Sequence, residues 1–202
     1  MKRLFIALLL SLPMVAVAQD NTWEQPQVTA SQTNPDEKYL AGAVPEVDGK
    51  VVFETTIQAP GKSARQIYDI MHEELARMVK EPGQYEQSRL TIEDADKLQI
   101  VGNYQEQLVF KRKPLEFDYT RLLYHLIVEC ADGQATVKML RIVYLYEEER
   151  QPQTFYAEEC ITDRYGLNKK KTKLSRGFGK FRRKTIDRKD FLFNKFNQLL
   201  NK

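Results

Sequence analysis

The sequence predicts an α+β fold of two layers, with one antiparallel sheet of about five strands and two helices packed on one face of it. Apolar residues alternate with a period of two along residues 50–57 and 89–147, which is typical of strands. Helical spacing occurs near residues 63–81 and again after Asp187, the expected N-cap of a terminal helix. Two helices are too few to cover both faces of such a sheet, so we expect both on the same face.

The first strand and the first helix have clear boundaries in the sequence. Residues 50–57 are rich in β-branched side chains, which favour a strand. Ser63 and Gln66 have the spacing of a capping box, in which each side chain bonds to the backbone of the other residue. Pro82-Gly83 then stops the helix.

A meander of four strands follows the first helix. A short strand is expected at residues 89–92 and a long one at residues 98–111. Residues 116–130 and 135–147 flank Asp132-Gly133, a strong signal for a β-hairpin. With the terminal helix, the element order is β-α-β-β-β-β-α.

The register of this hairpin predicts a binding surface. A two-residue turn pairs Ala131 with Gln134 and thereby assigns the side chains to two faces. One face is expected to be core, with Arg141 as its only charged member. The other is apolar and aromatic away from the turn, where a sheet covered on one side should be polar. The residues expected to form the binding surface are Tyr119, Leu123, His125, Leu140, Ile142, Tyr144 and Tyr146.

The first eighteen residues predict export. Lys2 and Arg3 precede an apolar run at residues 4–17, and Ala16-Val17-Ala18 has the small-x-small pattern of a cleavage site. The run is too short and wrongly flanked for a membrane-spanning helix. We therefore expect a periplasmic or extracellular protein that is soluble after cleavage and has no transmembrane segment.

The sequence divides into three regions. Residues 1–18 are expected to be a signal peptide. Residues 19–48 are rich in Gln, Thr, Ser, Asn and Pro and lack an apolar period, so they are expected to be a flexible arm. Residues 49–202 are expected to form a single α+β domain.

A basic segment spans residues 169–189, with eleven Lys or Arg residues and a single acid. It is expected to lie on the protein's own acidic surface, to contact an external anion such as lipopolysaccharide phosphate, anionic lipid or acidic polysaccharide, or to form a solvated loop. Nucleic acid is not expected, because exported proteins rarely meet it. The candidate anion-binding residues are Lys169, Lys170, Lys171, Lys173, Arg176, Lys180, Arg182, Arg183 and Lys184.

Few residues are candidates for other chemistry. Cys130 and Cys160 either form a disulfide, which export permits, or remain two separate buried thiols. Neither has a metal ligand at short spacing, and no motif indicates a cofactor. An alternative function is a hydrolase-like enzyme centred on His125, which would need a partner such as Glu129 or Arg121 within hydrogen-bond reach.

Several stretches resemble a known family. They are Lys50-Val51-Val52-Phe53, Ala59-Pro60-Gly61-Lys62-Ser63, Glu129-Cys130-Ala131-Asp132-Gly133 and Lys180-Phe181-Arg182-Arg183-Lys184-Thr185-Ile186-Asp187. With the element order, they are similar to an exported bacterial family described as a domain of unknown function with a TATA-binding-protein-like fold. The resemblance covers about residues 50–200 and implies that fold and an exported location, but no catalytic residues.

These observations favour a non-enzymatic binding or assembly module of the bacterial envelope. The expected partners are an unknown protein, an anionic envelope component or a second copy of the chain.

Overall fold

A computed structural model describes residues 34–202, so the predicted signal peptide and residues 19–33 of the predicted arm lie outside the described residues. The described part contains a short 3-10 helix, Glu37–Tyr39, seven strands and three α-helices. The strands and helices, in chain order, are β1 Glu46–Val47, β2 Lys50–Gln58, α1 Ala64–Met78, β3 Arg89–Asp94, β4 Gln99–Lys113, β5 Glu116–Ala131, β6 Gln134–Tyr146, β7 Gln153–Tyr156, α2 Ala157–Cys160 and α3 Gly179–Leu200.

The strands form one antiparallel sheet in the order β1-β2-β6-β5-β4-β3, and β7 pairs with β6. β2 pairs with β6 from the turn end as far as Leu140, and β7 pairs with β6 from Val143 onward. β2 and β7 therefore follow one another along the same edge of β6. The predicted antiparallel α+β fold is confirmed, with β1 and β7 as additional strands.

Both long helices lie on the same face of the sheet, as predicted. Tyr104 and Glu106 of β4 share one face of the sheet because they are two residues apart, and each contacts one of the long helices. The Tyr104 hydroxyl donates to the Leu75 carbonyl of α1 at 3.0 Å. The Glu106 carboxylate accepts two hydrogen bonds of 2.6 Å from Arg188 of α3. The buried side chains of all three helices join one core cluster with this face.

The start of α1 follows its sequence signals. The Ser63 hydroxyl accepts from the Gln66 backbone N–H at 3.3 Å, and the Gln66 side-chain oxygen accepts from the Ser63 N–H at 2.8 Å. The capping box is therefore present as predicted, and it fixes the direction in which α1 crosses the sheet. Among the described residues, no helix has the length and apolarity needed to cross a bilayer.

β6 contains a bulge at Arg141 that the sequence analysis did not predict. Leu123 pairs with Val143, whereas His125 pairs with Leu140, so β6 has one residue more than β5 between these pairs. Arg141 has a φ of 54° and an exposed side chain, so it is not the charged member of the core face that the sequence predicted. An extra residue in one strand moves every following side chain to the opposite face.

The bulge overturns part of the predicted binding surface. Ile142 and Tyr144 were expected on the uncovered face, but they are 1% and 0% exposed in the core. The Tyr144 hydroxyl lies 2.6 Å from the Thr185 hydroxyl of α3. Tyr146 also lies on the helix side, where its hydroxyl donates to Asp118 at 2.9 Å. The prediction failed because it assumed unbroken alternation along β6.

The predicted arm ends earlier than expected. Within residues 34–48, which the sequence assigned to a flexible segment, Tyr39 and Val44 are buried at 6% and 4% exposure. The buried Arg182 side chain donates to the Tyr39 carbonyl at 2.6 Å. Contacts with α3 therefore hold this segment, and such contacts leave no periodic pattern in a local sequence.

The terminal helix begins at Gly179, eight residues before the predicted N-cap. Asp187 lies inside α3 and accepts from Lys38 at 2.7 Å. The Ser175 hydroxyl accepts from the Phe178 N–H at 3.2 Å, just before the first helical turn. Lys and Arg are good helix formers, so the second half of the basic segment is helical.

Candidate functional site

The sheet face opposite the helices, here called the open sheet face, carries a band of apolar side chains. A sheet face left to solvent is normally polar, so this band is the feature that needs a functional explanation. Ile92 and Tyr156 are 44% and 51% exposed. The apolar band consists of Val52, Ile92, Val101, Leu123, Ile127, Leu140, Val143, Leu145 and Tyr156.

The strand register makes the apolar band continuous. Ile92 pairs with Val101, and Val101 pairs with Ile127, so three strands contribute to one row. Two residues further along β5, Leu123 pairs with Val143 of β6. Side chains directly opposite each other in a sheet are about 5 Å apart, close enough for contact.

Of the predicted surface residues, Tyr119, Leu123, His125 and Leu140 lie on the open sheet face, and the other three do not. Val143 and the contributions of β2, β3, β4 and β7 to this face were not predicted from the sequence. The alternation along β2 and β4 was an available signal for two of these residues. The position of Val143 depends on the bulge.

His125 lies near the middle of the open sheet face. Burial, and next the charge of Arg141, lower the pKa of the His125 imidazole. The Glu129 carboxylate accepts from the Gln99 side chain at 3.2 Å, and Arg121 is held in an ion pair of 3.0 Å. The structure therefore does not bring Glu129 or Arg121 together with His125 as the enzyme hypothesis required.

The charges on the open sheet face are largely paired with one another. The Lys138 ammonium lies 3.7 Å from Glu54 and 4.0 Å from Glu129. The Arg121 guanidinium forms an ion pair of 3.0 Å with Glu148. The open sheet face thus has no strong excess of either sign around its apolar band.

A shallow cleft of about 410 Å³ lies at the end of the β5–β6 hairpin away from the turn. Tyr119 and Tyr146 line it, together with several carboxylates. The Asp118 carboxylate accepts from Lys180 at 2.8 Å, and this bond helps to raise the pKa of Lys180 although burial opposes it. Within residues 34–202, no group of three or more His, Cys, Asp or Glu side chains is placed to hold a metal ion.

The basic segment is divided between internal contacts and an exposed loop. Lys180, Arg182 and Arg183 of α3 form ion pairs of 2.8, 2.8 and 2.5 Å with aspartates of the same chain. Lys184 lies on the same helix. The residues exposed in the loop before α3 are Lys169, Lys170, Lys171, Lys173 and Arg176.

The two cysteines are free thiols, so the disulfide that the sequence left open does not form. Cys130 lies opposite Ala135 beside the hairpin turn. Cys160 lies on α2, which directly follows β7. β7 pairs with β6 beyond the Arg141 bulge, away from the hairpin turn. Burial raises the pKa of the Cys130 thiol to about 11 and also raises that of Cys160.

Comparison with known proteins gives matches at the level of family and fold. A family model described as a domain of unknown function (DUF4468) with TBP-like fold matches residues 53–145. The crystal structure of a DUF4468 family protein from Bacteroides ovatus is 41% identical, with a TM-score of 0.77 over 83% of this chain and 95% of that one.

A second crystal structure shows similarity of fold alone. This TBP-like protein from Parabacteroides distasonis is 19% identical, with a TM-score of 0.63 over 78% of this chain and 96% of that one. No curated protein matches the chain.

Proposed function

The chain belongs to the DUF4468 family, and from that premise we propose that it is an exported, non-enzymatic binding module of the bacterial envelope that assembles with a second copy of itself. The observation that carries the proposal is the apolar band on the open sheet face. The helices cover the other face, and every member of the band except Val101, which is 9% exposed, is at least partly exposed to water in the described part of the chain. Large exposed apolar patches on soluble domains mark interaction sites.

The size of the open sheet face supports a second copy as the occupant. Five strands with a spacing of about 4.8 Å, and four rows of side chains along them, give a footprint of roughly 650 Å². A standard protein–protein interface buries about 800 Å² of accessible surface on each partner. The open sheet face is therefore of the size that a stable homodimer needs, and it is flatter than a small-molecule site.

The charge of the open sheet face also supports self-assembly. Lys138 lies between Glu54 and Glu129, and Arg121 is paired with Glu148. Charges that are already paired within one copy do not repel the same charges on a second copy. A strongly acidic or basic partner would find no complementary field on this face.

The proposal of export depends on residues 1–18, whose basic start, apolar run and small-x-small site support a signal peptide. The proposal of a binding role rather than catalysis is supported by His125. The acid nearest to it on the same strand, Glu129, is engaged with Gln99 and Lys138. A general base needs its partner within hydrogen-bond reach.

Sedimentation equilibrium tests the proposed self-assembly. We expect the unaltered protein to be dimeric at tens of micromolar and the Leu123→Ser/Val143→Ser variant to be monomeric with an unchanged circular dichroism spectrum. The control variant is Leu115→Ser, which removes a fully exposed apolar side chain at the β4–β5 hairpin tip, outside the apolar band, and should stay dimeric. A monomeric unaltered protein, or equal dimerisation of the band variant, would contradict the proposal.

A further inference from the structure

The loop before α3 carries five cations that have no partner in the described part of the chain. Lys169, Lys170, Lys171, Lys173 and Arg176 are exposed, and none forms an ion pair with a carboxylate of residues 34–202. We propose that residues 167–176, the cationic hairpin, dock the protein onto the phosphate headgroups of an anionic lipid bilayer. This surface is separate from the apolar band, and it adds a lipid contact to the envelope role proposed above.

The cationic hairpin has its own hydrogen bonds. Leu167 and Leu174 form a bridge between its two arms. The side-chain oxygen of Asn168 accepts from the backbone N–H groups of Thr172 at 2.9 Å and Lys173 at 3.3 Å. These bonds fix the backbone of the turn, so less conformational entropy is lost when its lysines meet a surface than in a disordered basic tail.

The base of the cationic hairpin is fixed to the domain. The Ser175 N–H donates to the Gly166 carbonyl at 2.9 Å, and Leu167 is only 4% exposed. Gly166 packs so closely against Arg182 of α3 that an added Cβ would lie 2.8 Å from the Arg182 Cδ. The hairpin therefore has a defined orientation on the domain, and contact through its cations would orient the whole protein.

Two further side chains beside the base extend this surface. Arg164 and Tyr165 directly precede Gly166, and both are exposed. The Arg164 guanidinium lies 5.1 Å from the centroid of the Tyr165 ring. Tyrosine is enriched at the headgroup level of membranes because its ring is apolar and its hydroxyl is polar.

The arrangement of the cations favours a bilayer over a single small anion. Five separate side chains on an exposed turn can each meet a different phosphate of a planar surface, whereas a discrete anion site gathers its donors around one point. Outside the basic segment the chain is acidic on balance, so attraction to a bilayer depends on this hairpin and not on net charge. Each cation near such a surface strengthens binding about fivefold.

Vesicle co-sedimentation tests the inference. The protein should bind phosphatidylcholine vesicles with about 30% phosphatidylglycerol at low salt, not pure phosphatidylcholine, and should be released by about 0.5 M NaCl. The variant with Lys169, Lys170, Lys171 and Lys173 all changed to Gln should bind about 600-fold more weakly, since four fivefold losses multiply. Changing the same four residues to Arg should retain binding.

A control variant with the same loss of charge distinguishes an effect of the cationic hairpin from an effect of the net charge of the protein. Lys50, Lys80, Lys113 and Lys202 are exposed elsewhere, and changing all four to Gln should leave vesicle binding within about threefold of the unaltered protein. Equal loss in both Gln variants would overturn the inference. Binding to acidic polysaccharide without vesicle binding, or competition by inorganic phosphate at matched ionic strength, would also overturn it.

The outcomes of this test are independent of self-assembly. The Leu123→Ser/Val143→Ser variant keeps the cationic hairpin, so its monomer should still bind anionic vesicles. Vesicle binding without dimerisation would refute the proposed self-assembly and support the lipid contact. Dimerisation without vesicle binding would support the self-assembly and refute the lipid contact.

Discussion

The bulge at Arg141 makes a quantitative prediction about two neighbouring residues of β6. Unbroken alternation would put Leu140 and Ile142 on the same face, but the structure puts Leu140 on the open sheet face and Ile142 in the core at 1% exposure. Replacing a fully buried Ile with Ala removes its burial energy and leaves a cavity, at a cost of about 3–4 kcal/mol. The same truncation of the partly exposed Leu140 should cost only about 1 kcal/mol.

Thermal unfolding of Leu140→Ala and Ile142→Ala at about 1 µM protein, where the proposed self-assembly would be weak, measures this difference. In a domain of this size 1 kcal/mol corresponds to about 2–4 °C in Tm, so we expect a loss of about 10 °C for Ile142→Ala and about 3 °C for Leu140→Ala. Equal losses, or a larger loss for Leu140→Ala, would mean that β6 alternates without a bulge and would refute the assignment of the two faces.

Three further predictions concern buried or titrating groups. Glu106→Leu should cost about 3 kcal/mol because it leaves Arg188 charged without its carboxylate, and the Glu106→Leu/Arg188→Met double variant should recover most of that loss in a double-mutant cycle with Arg188→Met. The pKa of His125 is lowered in the folded state, so its contribution to stability is complete above the unfolded pKa of about 6.5 and is lost as the pH falls below it. The unaltered protein should therefore lose more urea stability between about pH 7.5 and pH 5.5 than His125→Gln, and equal losses would contradict this assignment. Cys130 and Cys160 should both react with a thiol reagent after unfolding but slowly in the native protein, whereas an intact mass two hydrogens lower would reveal a disulfide.

The elements that could be predicted from the sequence are those with short-range causes. The α1 start depends on Ser63 and Gln66, three residues apart, and the β5–β6 turn depends on Asp132-Gly133. In each case the residues that make the structure are adjacent or nearly so. The placement of both helices on one face could be predicted because two helices are too few to cover both faces of the sheet.

The elements that could not be predicted depend on contacts between distant residues. A bulge residue with positive φ is usually Gly, Asn or Asp, and an Arg at position 141 carries no such signal. The order of residues 34–48 depends on Arg182, more than 140 positions away in the chain. The early start of α3 was hidden because its basic residues form ion pairs with parts of the chain that a local pattern does not identify.

The predictions for the open sheet face also succeeded where the strand pattern is regular and failed where it is interrupted. Leu123 and His125 were assigned to the uncovered face correctly because β5 contains no inserted residue, and Leu140 because it lies on the turn side of the bulge in β6. Ile142 and Tyr144 were assigned wrongly because they lie beyond it. One inserted residue therefore decided which half of the predicted surface is available to a partner.

Hydroxyl-radical footprinting of the unaltered protein at low and high concentration tests the central claim most directly. The account predicts that Leu123, Ile127, Leu140 and Val143 become less reactive as the concentration rises from about 1 µM to about 100 µM, because a second copy covers them. Leu115, which is fully exposed at the β4–β5 tip, should keep its reactivity. Unchanged reactivity of the apolar band, or protection confined to other surfaces, would contradict the claim that the open sheet face is where two copies meet.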